Sequence, residues 1–275
     1  MRKESNIKQF HIRIFIVLIA TLVFYSCEEK TDWTLQESEA FIVVDAIISN
    51  EFKQQEVKVY WSNTEINQLP EPISGAEILL SDGLTIYEFT ESPSSVGLYY
   101  SNPFAVTIDK VYYLVINYNG FSDTARAIIG ADYILPFSAD TIIFQDSLYK
   151  YIYADSDDPA MIEVYYDWSH NTEYCNSYGS CFASETFYTL NIIDVGQEFA
   201  PPKQEILFPI GTTITRRKYS LNSAHQEFIR SLLIETEWRG GIFDIEQGNV
   251  PTNFRNGARG WFGVCLVLEE TDTFE

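Results

Sequence analysis

From Phe41 onward, the pattern of apolar and polar positions becomes typical of β-strands. In one such segment Val57, Val59 and Trp61 stand at alternate positions and share one predicted face. Seven short segments of this kind follow one another, and none has helical periodicity. Residues 39–130 are therefore predicted to form an N-terminal β-sandwich of the immunoglobulin-like kind.

Two dipeptides mark tight turns between these strands. Asp82-Gly83 and Asn119-Gly120 each separate two apolar runs. Both sequences readily adopt the positive φ angles that tight hairpin turns require. The strands on either side of each dipeptide are therefore predicted to pair as antiparallel hairpins.

The second half of the chain continues the strand pattern. A domain boundary is predicted near residues 130–136, where Gly and Pro interrupt the alternation. Residues 131–275 then contain further strand-like segments, of which the last is Trp261–Leu268. The fold class is predicted to be all-β, with two β-sandwich-like domains.

A single segment of the second domain has helical periodicity. Ser223 and Gln226 have the spacing of a capping box, and apolar residues follow at intervals of three and four. Gly240-Gly241 end the run. One amphipathic helix is therefore predicted over about 223–238.

The beginning of the chain resembles a targeting segment. Ile14–Tyr25 is an almost unbroken apolar run, preceded by four Lys or Arg residues and followed by Ser26 and Cys27. As a helix, this run would span about 18 Å, which is short for a membrane core of roughly 30 Å. Residues 1–26 are therefore predicted to be a lipoprotein signal peptide. An ordinary secretory signal and an uncleaved anchor are the alternatives.

A lipoprotein signal makes Cys27 the predicted site of lipid attachment. Two or more acyl chains on this residue would hold the protein stably at a membrane. Glu28 and Glu29 resemble an acidic export signal, and residues 27–38 would form an acidic tether. The predicted location is the outer membrane, with the protein exposed at the cell surface; the periplasmic face is the alternative.

The charge of the chain excludes several classes of partner. Residues 1–26 contain four Lys or Arg and one Glu, so the chain from Cys27 onward has a formal net charge of −24. This charge argues against binding to nucleic acid or to anionic lipid. The cluster Arg216–Lys218 is predicted to be a solvated strand face, although an acidic partner could use it.

Four cysteines are present. Cys175 and Cys181 flank a short polar segment and are predicted to form a disulfide that closes a loop. Cys265 lies in an apolar run and is predicted to be a buried thiol, with a bridge from Cys265 to either of the other two left open. A zinc site is not expected, because His170 and His225 lack ligand spacing.

Motifs of the common enzyme classes are absent from the sequence. It contains no Gly-x-Ser-x-Gly, His-Glu-x-x-His, phosphate-binding loop or Cys-x-x-Cys. The acidic segment Asp155–Asp158 lacks the glycine and distal glutamate of a calcium loop and is predicted to be an ordinary turn. No catalytic residue, metal or cofactor is therefore predicted.

Aromatic side chains offer the remaining candidates for contact with a ligand or partner. Most of them lie in or beside strands, where packing accounts for them. Tyr174 and Tyr178 are the best candidates, because a Cys175–Cys181 loop would hold them rigidly, and Trp168 is the third.

Several segments together resemble the Bacteroidota outer-membrane lipoproteins grouped as domain-of-unknown-function family 4249. The segments that carry this resemblance are Phe41–Ile48, Gly75–Gly83, Gly97–Tyr100, Tyr112–Gly120, Asp140–Phe144, Asp158-Pro159, Gly240–Asp244, Gly248–Phe254 and Ala258–Gly263. The resemblance implies a prealbumin-like first sandwich. It also implies a surface lipoprotein of a kind often encoded beside TonB-dependent receptors.

The resulting hypothesis is a non-enzymatic surface lipoprotein. It would act as an accessory or ligand-capture partner of a TonB-dependent outer-membrane β-barrel transporter. A glycan-binding or glycan-processing module is the first alternative. A structural or adhesive surface protein is the second.

Overall fold

A computed structural model of the protein describes residues 39–63, 68–130, 133–137, 141–145, 147–153, 158–191, 205–238 and 250–275. Strands dominate these ranges, as predicted for an all-β fold. The strands are β1 (Ile42–Ser49), β2 (Glu56–Trp61), β3 (Glu77–Ser81), β4 (Ile86–Ser92), β5 (Ser95–Ser101), β6 (Val111–Tyr118), β7 (Phe121–Ile128), β8 (Thr141–Gln145), β9 (Leu148–Ile152), β10 (Ala160–Asp167), β11 (Phe182–Thr189), β12 (Leu207–Phe208), β13 (Thr213–Ser220), β14 (Arg259–Cys265) and β15 (Val267–Thr273).

The first sheet has eight strands in the order β14-β1-β2-β5-β4-β3-β6-β7. Its first seven strands in sequence confirm the seven predicted from the alternating pattern. Asn119-Gly120 forms a two-residue turn in which both residues have positive φ, and Tyr118 pairs with Phe121 across it. Asp82-Gly83 lies in the turn between β3 and β4, where Ser81 pairs with Ile86. Both predicted hairpins are thus confirmed.

One face of this sheet encloses a hydrophobic core to which all eight strands contribute. The two edge strands of the sheet also approach each other, because residues just before β14 contact β7. Ala125 of β7 forms an isolated bridge with Phe254, and the Asn253 amide donates to the carbonyl oxygens of Arg126 and Phe262. The sheet therefore curls until its ends are joined through this segment.

Asp123 of β7 stabilises the contact between β7 and the segment before β14. Its carboxylate is fully buried and accepts hydrogen bonds from the backbone N–H groups of Thr124, Arg255, Asn256 and Ala258, at 2.6–2.9 Å. A buried charge is stable only when its hydrogen-bonding capacity is filled. Backbone donors from β7 and from the segment before β14 fill it here.

The remaining strands form two smaller sheets around a second core. The second sheet has the order β11-β10-β13-β15, and the third has the order β12-β9-β8. Large aromatic side chains from both sheets fill the space between them. They include Tyr149, Tyr151, Tyr166, Phe208 and Phe274.

Two helices occur in the described ranges, α1 (Thr172–Tyr178) and α2 (Ser223–Glu235). Helix α2 confirms the predicted helix, but its N-cap is Asn222, whose side chain accepts from the His225 N–H at 2.8 Å. Ser223 is therefore the first helical residue, and the capping-box prediction was wrong by one position. The helix also ends before the predicted residue 238.

The C-terminal segment links the two regions of the molecule. The predicted last strand is two strands, because β14 pairs in parallel with β1 in the first sheet whereas β15 pairs with β13 in the second. Only Leu266 separates them. The predicted division at about residue 130 stays a prediction, but residues 131–275 contribute a strand to the first sheet, and Glu39–Glu275 form one compact unit.

Candidate functional site

The predicted lipid anchor lies outside the described residues. This applies to the signal peptide, to Cys27 and to the acidic pair Glu28 and Glu29. Asp155 to Asp157 of the predicted acidic turn also lie outside them, whereas Asp158 is described.

The predicted disulfide is present in an unexpected setting. Cys175 and Cys181 are bonded, with their Cα atoms 4.5 Å apart, which confirms the pairing. Cys265 is a free, buried thiol, so the alternative bridges from it are excluded. The segment between the paired cysteines was predicted to be a loop, but Cys175 lies within α1. The Asn171 side chain caps this helix by accepting from the Tyr174 N–H, and Gly179 ends it with a φ of 84°.

Trp168 organises the aromatic residues around this helix. Its side chain is fully buried, and its indole N–H donates to the Ser180 carbonyl oxygen at 2.8 Å. The rings of Tyr174 and Tyr178 meet it edge-on, with centroids 5.4 and 5.0 Å away. The prediction that Trp168 contacts a ligand was wrong, because the indole has no exposed surface. It instead supports the two tyrosines.

The two tyrosines have different surroundings. The hydroxyl of Tyr174 donates to the Leu207 carbonyl oxygen, and burial raises the pKa of this side chain. Tyr178 is 39% exposed and stacks on Tyr174 with centroids 5.9 Å apart. Phe182, directly after the disulfide, is 59% exposed. Sequence reasoning missed Phe182, and its position next to Cys181 was the available signal. Ligand contact through the tyrosines stays a prediction.

The basic cluster Arg216–Lys218 is not a solvated strand face, so that prediction was wrong. These residues alternate between the two faces of β13. Lys218 is fully buried, where its ammonium group pairs with Asp158 and donates to the Leu135 carbonyl oxygen at 3.1 Å. The guanidinium of Arg216 lies over the Phe137 ring, 4.8 Å from its centroid.

Arg217 points to the opposite face of β13 and joins the two regions. Its guanidinium donates to Glu51, in the turn between β1 and β2, at 2.6 Å, and to Glu269 of β15 at 2.8 Å. It also donates to the Tyr219 hydroxyl, which in turn donates to Glu163. Burial and the bond to Glu163 raise the pKa of Tyr219. The charge of Arg217 is paired with the carboxylates of Glu51 and Glu269, so this network connects strands of both regions.

His225 and Cys265 form a contact that resembles a catalytic pair. Their Nδ1 and Sγ atoms are 4.0 Å apart where α2 covers β14. Burial lowers the pKa of His225 to about 4 and raises the pKa of Cys265 to about 12. A nucleophilic cysteine needs a lowered pKa and access to substrate. Here both groups are neutral, and the imidazole stacks on Trp261 at 5.5 Å. The pair therefore packs a helix on a strand.

Within the described ranges, no group of three or more His, Cys, Asp and Glu side chains is placed to bind a metal ion. No helix among those residues is long and apolar enough to cross a membrane.

The described geometry defines an all-β protein in which a curled sheet is joined to a smaller, disulfide-braced aromatic region. Its sequence matches the family described as "Domain of unknown function (DUF4249)" over residues 28–271. The chain belongs to this family. No curated protein matches the sequence.

Proposed function

We propose that this protein is a non-enzymatic lipoprotein of the outer membrane, held there by acyl chains on Cys27 and exposed at the cell surface. It would act as an accessory or ligand-capture partner of a TonB-dependent β-barrel transporter. The signal-like residues 1–26 support the anchor, as does the start of the family match at residue 28, immediately after Cys27.

The observation that carries the partner role is the exposure of two aromatic side chains on either side of Cys181, Tyr178 at the end of α1 and Phe182 at the start of β11, here called the aromatic tip. Tyrosine and phenylalanine are enriched at protein interfaces, where they bury a large area with few rotatable bonds. The disulfide, the Gly179 cap and the Trp168 ring all restrain this tip before any partner binds. Such restraint reduces the entropy lost on association.

The arrangement of titratable groups supports a role without catalysis. His225 and Cys265 are buried and neutral, and the charges of Arg217 are paired with carboxylates. Enzymes hold reactive groups in accessible clefts with pKa values adjusted toward the working pH. The groups described here serve packing and cohesion.

The partner role is tested by affinity purification from detergent-solubilised outer membranes. We expect the native protein to retain a β-barrel transporter. Tyr178→Ala should reduce the recovered transporter about tenfold or more if this side chain is an interface anchor. Tyr113→Ala is the matched control, because Tyr113 is 38% exposed on β6 of the first sheet. Recovery of the native protein without any β-barrel would overturn the proposal.

The anchor is tested separately through Cys27. Cys27→Ala should abolish labelling by a fatty-acid probe and release the protein from membranes. Cys265→Ala, which removes a buried thiol, should leave labelling unchanged. Persistent acyl labelling of the Cys27→Ala protein would contradict lipid attachment at this residue.

A further inference from the structure

An open cavity of about 350 Å³ lies beside Trp61, at the end of β2. It is lined by Ala40, by the end of β2 and by residues 68–71. The lining residues are Ala40, Trp61, Ser62, Asn63, Gln68, Leu69 and Glu71. Its volume falls within the range of roughly 300–1,000 Å³ that is typical of small-molecule sites.

Backbone hydrogen bonds hold the walls of this cavity in place. The Trp61 N–H donates to the Glu71 carbonyl oxygen at 2.8 Å, and the Ser62 N–H donates to the Phe41 carbonyl oxygen at 2.9 Å. The Ser62 hydroxyl accepts from the Phe41 N–H in return. The Asn63 amide donates to the Gln68 carbonyl oxygen at 2.6 Å, which orients it at the rim. The lining is therefore preorganised.

Gly97 of β5 permits the close approach of the segment that contains Pro72. A Cβ atom at this position would lie 2.7 Å from Cβ of Pro72 and 2.8 Å from the Val59 carbonyl oxygen, and the residue has a φ of 78°. Any other residue would displace Pro72 and, with it, the neighbouring cavity wall. The sequence thus contains a specific feature that allows this wall to form.

The indole of Trp61 is fixed as well. Trp61 is half-buried against the first core, and its ring meets Tyr118 edge-on at 6.1 Å. Trp61 is also one of the residues that line the cavity. A rigid indole surface beside hydroxyl, amide and carboxylate groups matches a ligand that has an apolar C–H face and many hydroxyl groups.

We propose that this cavity binds a neutral saccharide, with one pyranose ring packed on Trp61 and its hydroxyl groups hydrogen-bonded to Ser62, Asn63 and Glu71. The acidic protein, with Glu71 at the rim, disfavours uronic and sulfated sugars through charge repulsion. Glu71 accepts hydrogen bonds from sugar hydroxyls, whereas the Asn63 amide can both donate and accept. This inference does not depend on the proposed function.

The test begins with the purified full-length protein in detergent on an array of immobilised oligosaccharides. The array contains neutral glucans, mannans, galactans, xylans and N-acetylglucosamine oligomers, together with uronic and sulfated sugars. The neutral oligosaccharide that binds most strongly on the array is then titrated in solution by calorimetry. We expect binding to neutral sugars and weaker or no binding to the acidic ones.

Variants assign the binding to the cavity. Trp61→Ala should weaken the affinity about tenfold or more, because it removes the central aromatic contact. Since Trp61 also packs on the core, Asn63→Ala and Glu71→Ala provide changes at exposed positions, each expected to weaken affinity several-fold. Tyr113→Ala should leave affinity unchanged, and circular dichroism checks the fold of every variant.

Two results would overturn the proposal. One is the absence of binding to all neutral oligosaccharides on the array. The other is saccharide binding whose affinity is unchanged in Asn63→Ala, Glu71→Ala and a folded Trp61→Ala protein.

Discussion

The two cores of this molecule are built differently. The core of the first sheet is mainly aliphatic, with Val44, Ile48, Val57, Ile78 and Leu114 among its most deeply buried members. The second core is mainly aromatic, and the fully buried Trp168 and Phe208 lie at its centre. Eight strands supply the first core, whereas smaller sheets of four and three strands enclose the second.

The difference between an aliphatic and an aromatic core goes with the number of strands that supply side chains to each core. An aromatic side chain buries about 150–250 Å², more than an aliphatic one, so few positions can fill a core. The many strands of the first sheet can instead contribute small alternating residues. The second region also contains a disulfide and a buried ion pair. The two regions should therefore respond differently when one buried polar group is removed.

The largest effect is expected in the first region, at Asp123. Asp123→Ala removes the acceptor of four backbone N–H groups, one of them buried and three partly buried, and leaves a small void. We expect a loss of about 4 kcal/mol in the free energy of unfolding, measured by urea denaturation. Glu88→Ala, at an exposed position of β4, should cost less than about 0.5 kcal/mol. Equal effects of the two changes would show that Asp123 does not fasten the curled sheet.

A somewhat smaller loss in the free energy of unfolding is expected when the buried ion pair of the second region is broken. Asp158→Ala removes a carboxylate that pairs with the buried Lys218 ammonium, which should cost about 3 kcal/mol. Lys218→Met fills the same space without a charge and leaves the better-exposed Asp158, so it should cost less than half as much. Urea denaturation of the two variants measures the loss in the free energy of unfolding for each. A larger loss for Lys218→Met would contradict this account.

The smallest loss of stability is expected from protonation of His225, which lies where α2 covers β14 and the two regions meet. The folded protein binds a proton on His225 with a pKa of about 4, against 6.5 for an unperturbed histidine. The unfolded state thus binds the proton more readily, and stability falls as the pH drops below about 6.5. We expect a loss of about 2 kcal/mol between pH 7.5 and pH 5.

Variants separate this histidine from other titrating groups. His225→Gln should remove most of the pH dependence in this range. His170→Gln should retain it, because His170 lies at an exposed turn beside Ile210. The prediction fails if unfolding curves of the His225→Gln protein keep the full pH dependence.

The success of sequence reasoning differed between the two regions. The strand-like pattern of β1 to β7 and the turn dipeptides predicted seven strands of the first sheet, since both signals depend on neighbouring residues. Helix α1 was missed, because seven residues with one buried position, Cys175, are too few to show periodicity. The aromatic tip was predicted in part. Tyr178 is exposed and braced by the disulfide, but Trp168, expected beside it at the surface, is buried.

The sequence by itself determined the all-β class, seven of the eight strands of the first sheet, helix α2 and the Cys175–Cys181 pairing. All of these depend on local spacing, which a single chain displays directly. Only the tertiary structure decided the parallel pairing of β14 with β1, the fastening of the curled sheet by Asp123 and the burial of Lys218. These features join segments far apart in the chain. Their energies come from desolvation and hydrogen bonding that exist only after the segments have met.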